Sequence, residues 1–159
     1  MALQSTVNIN LGAGVVGELA NDSPYIAKPY TLVGGAQTND VGKYFTVTSE
    51  GVAAPGGTGA VGGILINPKH YALRGTTGGG TLAPSLVLPD NSIGELLYEG
   101  EIWIAVPGAA AIGDALKYNT TTGVIGTGAP GGGEAAVPNS KVIDYTPSGA
   151  GLALVRVNN

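Results

Sequence analysis

Glycine and proline interrupt this chain so often that a helix has almost nowhere to form. The 28 glycines and 10 prolines make up about a quarter of the 159 residues. Inside a helix each glycine costs about 1 kcal/mol relative to alanine, and each proline about 3 kcal/mol. Ala109–Ile112 is the one helical candidate between such breaks, and four residues are too few to sustain a helix. What remains is a series of short, alternating apolar runs bounded by turn residues, which is how strands read. Chains this rich in glycine and proline are often unfolded. Here charged residues are only 11% and hydrophobic residues 43%, so there is apolar surface to bury. The expected fold class is all-β: a small β-barrel or β-sandwich with long Gly/Pro-rich loops and an extended N-terminal arm.

The strands can be placed from their alternation. In VGKYFTVT (41–48), Tyr44, Thr46 and Thr48 oppose Lys43, Phe45 and Val47. GGILI (62–66) reads as a short buried strand, with HYALRG (70–75) as its candidate partner. IGELLYEGEIWIAVPG holds two strand segments meeting at Glu99-Gly100 in a tight hairpin or a bend. In the second segment Ile102, Ile104 and Val106 face one side, while Trp103, read as a core residue, and Ala105 face the other. Residues 114–118 and 124–125 flank an Asn-Thr-Thr-Thr-Gly turn, and KVIDYT (141–146) and GLALVRV (151–157) form a closing hairpin. Residues 76–92 and 126–140 read as loops.

Residues 1–35 differ from the rest and are read as an arm, with 36–159 as the body. Pro24 and Pro29 bar a helix of useful length, and no local turn closes a hairpin. Val7, Ile9 and Leu11 alternate with Thr6, Asn8 and Asn10. Together with Val15, Val16, Leu19, Tyr25, Ile26 and Tyr30 they are the expected partner-binding residues, apolar side chains that an extended arm leaves open to another protein.

Several function classes are disfavoured by what the chain carries. Net charge is −4, and the cations Lys28, Lys43, Lys69, Arg74, Lys117, Lys141 and Arg156 are dispersed. No basic stripe exists for a phosphate backbone, so nucleic acid is not an expected partner. There is no cysteine, which excludes disulfides and thiolate metal sites. The first residues lack the pattern of a signal peptide and no run of 18 apolar residues is present, so no membrane association is expected. His70 is the single histidine and cannot supply a two-histidine metal site or, without partners, a nucleophile triad. Three stretches match G-x-G-x-x-G (12–17, 57–62, 126–131), but none joins a strand to a helix, and that context is what binds a dinucleotide. Glu95, Glu99 and Glu101 are the best acid–base candidates. They read instead as a solubilising face, because few aromatics remain to line a sugar groove. Asp90 and Asn91 lack the D-x-D-x-D-G pattern of a calcium loop. No catalytic, cofactor-binding or metal residue is expected, and no enzyme.

Four segments, in order, resemble the structural cement or decoration proteins of tailed-bacteriophage heads: GVVGELANDSPYIAKPYTLVGG; VGKYFTVTSEGV with its Gly-rich loop and GGILINP; EGEIWIAVPGAAAIGDALKYNTTTGVI; and PNSKVIDYTPSGAGLALVRVNN. The resemblance implies a β-barrel-like body on the capsid exterior, made in the host cytoplasm, with arms that clamp and stabilise neighbouring coat subunits. The implied partners are the major capsid protein and further copies of the chain itself, as a homotrimer or alternatively a dimer; no cofactor and no catalytic residue is implied. An extended arm suits that task, since it can add a strand to a partner's sheet edge and several arms on one oligomer bind with high effective concentration. The alternatives are another virion part (head-fibre base, collar or tail protein) and, from a different class, a carbohydrate-binding module.

Overall fold

Five strands close into a ring in the computed structural model, which describes residues 14–20, 24–68 and 86–159. They are β1 (Ile26–Leu32), β3 (Tyr44–Ser49), β4 (Val52–Pro55), β5 (Gly62–Leu65) and β7 (Ile93–Val106). The order is β1-β4-β3-β5-β7, and β1 pairs again with β7 to complete the circuit. Only β1–β4 is parallel. A two-stranded piece, β2 (Asn39–Asp40) with β6 (Val87–Leu88), sits beside the ring. The all-β expectation is met by a small closed barrel with further strands. Among the described residues there is no helix.

Period-2 alternation divides the barrel side chains between two cores. Leu32, Phe45, Ala53, Leu65 and Leu96 cluster with Val41 and Leu88 in one of them. On the opposite phase the cross-strand row Tyr44–Ile64–Leu97 belongs to a second, larger cluster. That cluster is roofed by β8 (Leu116–Asn119), β9 (Ile125–Thr127) and β10 (Glu134–Ala136), a three-stranded sheet of order β10-β8-β9. Each fully buried Leu, Ile or Phe contributes about 1.5–3 kcal/mol, so most of the apolar stabilisation lies between the layers rather than within the barrel. Tyr44 and Tyr118 stack across the layers with ring centroids 4.2 Å apart. Backbone bonds fix the same junction, Tyr44 N–H to Gly123 O at 2.8 Å and Gly57 N–H to Thr120 O at 2.6 Å.

β7 serves both layers. Its first half pairs with β1 and β5, and its second half pairs with β12 (Gly151–Asn158), which carries β11 (Lys141–Asp144) on its far side. The Glu99-Gly100 junction is therefore a bend in one continuous strand. Gly100 has φ 140°, and a Cβ there would lie 2.8 Å from the Cβ of Tyr25. Ile102, Ile104 and Val106 enter the large core, while Trp103 faces the other way against Ala20 and Leu154, the division that alternation predicts.

The described part of segment 1–35 lies along the body's own β7. Gly17 N–H donates to Trp103 O (2.7 Å), Trp103 N–H to Glu18 O (2.9 Å) and Ala20 N–H to Glu101 O (2.9 Å). Further along, β1 runs antiparallel to β7 from Ile26 opposite Glu99 to Thr31 opposite Ile93. β1 thus belongs to the expected arm by position and to the barrel by hydrogen bonding. Pro29 is tolerated because Thr31 N–H points toward the β4 side, to Gly51 O. By alternation the nitrogen of Pro29 points that way too, where β4 no longer reaches.

Candidate contact surface

Of the nine expected partner-binding residues, Val7, Ile9 and Leu11 lie outside the described residues. The other six divide cleanly. Val15 (57% exposed), Tyr25 (53%) and Ile26 (51%) present their side chains to solvent. Val16, Leu19 and Tyr30 are half-buried and packed inward. Val16 rests on Gly42, where a Cβ would come within 2.5 Å of its Cγ1. Leu19 faces Ile102 and joins the large core. Tyr30 packs against the barrel cluster, and its hydroxyl lies 2.9 Å from that of Tyr98. Burial, then the hydrogen bond that the Tyr98 hydroxyl shares with Tyr30, pushes the Tyr98 phenol well above its usual range; the Lys28 ammonium sits 5.1 Å above the same ring.

Further apolar side chains are exposed that the sequence reading did not single out. Ile93 is 66% exposed and stands opposite Thr31, which in turn is opposite Val52 on β4. With Val33 just beyond Thr31, also exposed, these residues make an apolar row on the outside of β7, β1 and β4. The signal was present in the sequence: Ile93 shares its strand phase with Glu95, so an apolar residue occupies a solvent-facing position. Ile112, 70% exposed, stands in the loop between β7 and β8.

Concavities open on the surface among the described residues. A groove of about 220 Å³ is walled by Val16, Val41, Gly42, Ala105, Val124 and Ile125, with the Asp40–Lys43 ion pair at its rim. A second cleft of about 470 Å³ lies between Pro107–Ala109 and the outer face of the small sheet. Its polar groups are already engaged. Lys117 pairs with Glu134 at 2.9 Å, and Asn119 Oδ1 accepts from the N–H groups of Thr121 and Thr122. The Lys117 hydrogen bond, followed by that from Gly131 N–H, holds the Glu134 carboxyl below its usual range. Among the described residues no aromatic side chain lines this cleft, so it offers no stacking platform for a sugar.

Of the acid–base candidates, Glu95 stands apart from Glu99, and Glu101, two residues from Glu99 on the same strand, is taken up in an ion pair with Arg156. Glu95 and Glu99 share one strand four residues apart, about 13 Å along it, beyond the carboxylate spacing of either glycosidase class. Glu101 accepts a hydrogen bond from Arg156 Nε at 3.0 Å. Asp90 acts as a clasp. Its Oδ1 accepts from Gly34 N–H and Asn39 Nδ2, each at 2.8 Å, and the Gly34 bond is the main reason its carboxyl lies below its usual range. Among the described residues no group of three or more His, Cys, Asp or Glu side chains is placed to hold a metal ion; His70 lies outside them.

The family model described as structural cement protein, a phage family, matches residues 3–158. No curated protein matches the chain. Among solved structures, a chain from the capsid of Myoviridae phage XM1 is similar with a TM-score of 0.65 at 19% sequence identity, covering 100% of this chain and 99% of that one. At that identity the likeness speaks to the fold.

Proposed function

The chain belongs to the phage structural cement protein family and is a capsid-stabilising structural protein, and from that premise we propose that it binds the exterior of the assembled shell and bridges major capsid protein subunits. The observation that carries this reading is the run of exposed apolar side chains, Val15, Tyr25 and Ile26, on a segment hydrogen-bonded along β7. Tyrosine gives a large contact area at low entropy cost, and Ile26 is already fixed in β1 by its pairing with β7. The leading residues Val7, Ile9 and Leu11 extend the same contact in this reading. The body acts without catalysis, which the pairing of Glu101 with Arg156 and of Lys117 with Glu134 favours.

Self-association into a homotrimer supplies several such contacts at once, so that individually weak contacts give durable attachment. Synthesis in the host cytoplasm followed by addition to the shell exterior fits a chain without cysteine. The test uses shells assembled without the cement protein. Val15→Asp, Tyr25→Asp and Ile26→Asp, combined in one protein, leave the barrel core untouched and are expected to lower shell occupancy at least tenfold, read by band ratio on purified particles. Undiminished occupancy refutes contact through this segment, and light scattering on the free protein decides the oligomeric state.

A further inference from the structure

Asn39 is 2% exposed, and its side-chain amide can face only one way. Nδ2 donates to Asp90 Oδ1 at 2.8 Å and to Leu88 O at 3.3 Å. Both partners are acceptors, so a reversed amide would set oxygen against oxygen. Oδ1 is therefore left buried, and no donor among the described residues reaches it. Folded proteins rarely leave such an atom uncompensated.

The same oxygen looks onto one face of Gly34. A Cβ built on Gly34 would lie 2.3 Å from Gln37 O, 3.0 Å from Asn39 Oδ1 and 3.0 Å from Asp90 Oδ1. Gly34 is not among the glycines with positive φ, so it keeps this face open by its size and not by its backbone conformation. The three nearest atoms beyond its chain neighbours are all oxygens. A water molecule has two protons to give and would leave one of three acceptors unmet, whereas a cation satisfies all of them together. The cradle is held firmly. Gly34 N–H donates to Asp90 Oδ1 at 2.8 Å, Gln37 N–H to Gly34 O at 2.9 Å and Asn91 N–H to Leu32 O at 2.8 Å. Asp40 takes no part, since it pairs with Lys43 and accepts from the Thr38 hydroxyl.

We propose that this cradle binds a calcium ion, with Gln37 O, Asn39 Oδ1 and the Asp90 carboxylate as protein ligands. Asp90 is exposed, so water completes the shell on its side. Amide, carbonyl and carboxylate oxygens suit a hard cation and not a transition metal. Magnesium demands near-ideal octahedral geometry and gives up its water reluctantly, whereas calcium tolerates an irregular set of oxygens. A single carboxylate places the site in the weak, millimolar class. Its ligands come from two turns, Asn39 and Asp90 being 51 residues apart, which is why no contiguous calcium-loop pattern marks it. The ion ties the turn after β1 to the turn before β7, a cross-link in a chain that has no cysteine. This site lies beyond the coat-contact reading and does not rest on it.

The test compares melting midpoints in about 10 mM calcium chloride, about 10 mM magnesium chloride and sodium chloride of matched ionic strength, with calcium also titrated into the folded protein by calorimetry. For a dissociation constant of about 1 mM, calcium at that level favours the folded state roughly tenfold and raises the midpoint by about 3–6 °C. Asp90→Asn keeps an acceptor for Gly34 N–H and Asn39 Nδ2 but removes the charge, and Gly34→Ala fills the cradle with a methyl group. Each is expected to abolish both the calcium shift and the binding heat. The absence of a calcium shift in the parent overturns the proposal and leaves Asn39 Oδ1 to water. An equal shift in magnesium overturns it as a general ionic effect, and an undiminished shift in Asp90→Asn overturns it by placing calcium elsewhere. Shell occupancy is not read in this experiment, so its failure leaves the coat-contact reading to its own test.

Discussion

Gly94→Ala tests how tightly the five-stranded ring is filled. Gly94 has an ordinary strand conformation, so the substitution acts through space alone. A Cβ there would lie 2.7 Å from the Cδ1 atoms of both Leu32 and Leu65, side chains that are 0% exposed. Ordinary carbon–carbon contact is about 3.5–4.0 Å, so each methyl has to retreat by roughly 1 Å. The strands on either side are hydrogen-bonded into a closed circuit and have no free edge along which to spread. Overpacking of this kind costs about 1–3 kcal/mol, against a gain of about 0.5–1 kcal/mol from replacing glycine in a strand. The expected net loss is about 1–2 kcal/mol, seen as a lower urea midpoint at unchanged slope. Leu65→Val makes room at the same spot. Alone it costs about 1 kcal/mol, but combined with Gly94→Ala it is expected to cost nothing further, a coupling of about 1 kcal/mol. Parental stability in Gly94→Ala, or simple additivity in the double variant, would refute the close packing described for this interior.

Gly100→Ala places a side chain at φ 140° against Tyr25; it should cost about 1–3 kcal/mol and, by displacing Tyr25, also lower shell occupancy. Tyr118→Phe keeps the stack on Tyr44 but removes the hydroxyl that donates to Gly57 O at 3.1 Å, for an expected loss of about 0.5–1.5 kcal/mol in a thermal melt. Asp90 has its folded pKa depressed below the ordinary 3.8. Its contribution is therefore present above that value and fades as pH falls through the lower folded value, so Asp90→Ala should flatten the acid limb of a stability–pH profile. Tyr44 runs the opposite way: burial, then Tyr118, pushes its phenol from 10.0 up to about 12. Its contribution is present below pH 10 and is lost as pH rises toward 12. Burial raises the Tyr98 and Tyr118 phenols as well, so absorbance titration should show these three tyrosinates forming late, together with unfolding.

The division among Val15, Val16, Leu19, Tyr25, Ile26 and Tyr30 bears on function as well as stability. Cement must keep its own body rigid while leaving apolar surface open, and one short segment does both. Leu19 and Tyr30 fasten it to the body, while Val15, Tyr25 and Ile26 stay exposed, as the proposed coat contact requires. Substituting the fastening residues would therefore lower stability first, whereas substituting the free ones would lower attachment with little change in stability.

Much of the fold could be read locally. The density of glycine and proline excluded helices, and alternation put Ile102, Ile104 and Val106 on one face and Trp103 on the other, because a strand's two-residue period is written in neighbouring residues. The terminal hairpin was legible for the same reason. Ring closure was not, nor was the membership of β1 in the ring, nor the strands Val52–Pro55 and Glu134–Ala136 within stretches that look like turns and loops. Those depend on which distant backbone supplies the partner N–H and C=O groups, and backbone groups are chemically alike in every residue. Nor could composition tell Val15 from Val16, or Tyr25 from Tyr30. Only the turn at 15–18, the bend at Gly100 and the pairing of β1 with β7 determine which of these apolar side chains is spent on the core and which is left exposed.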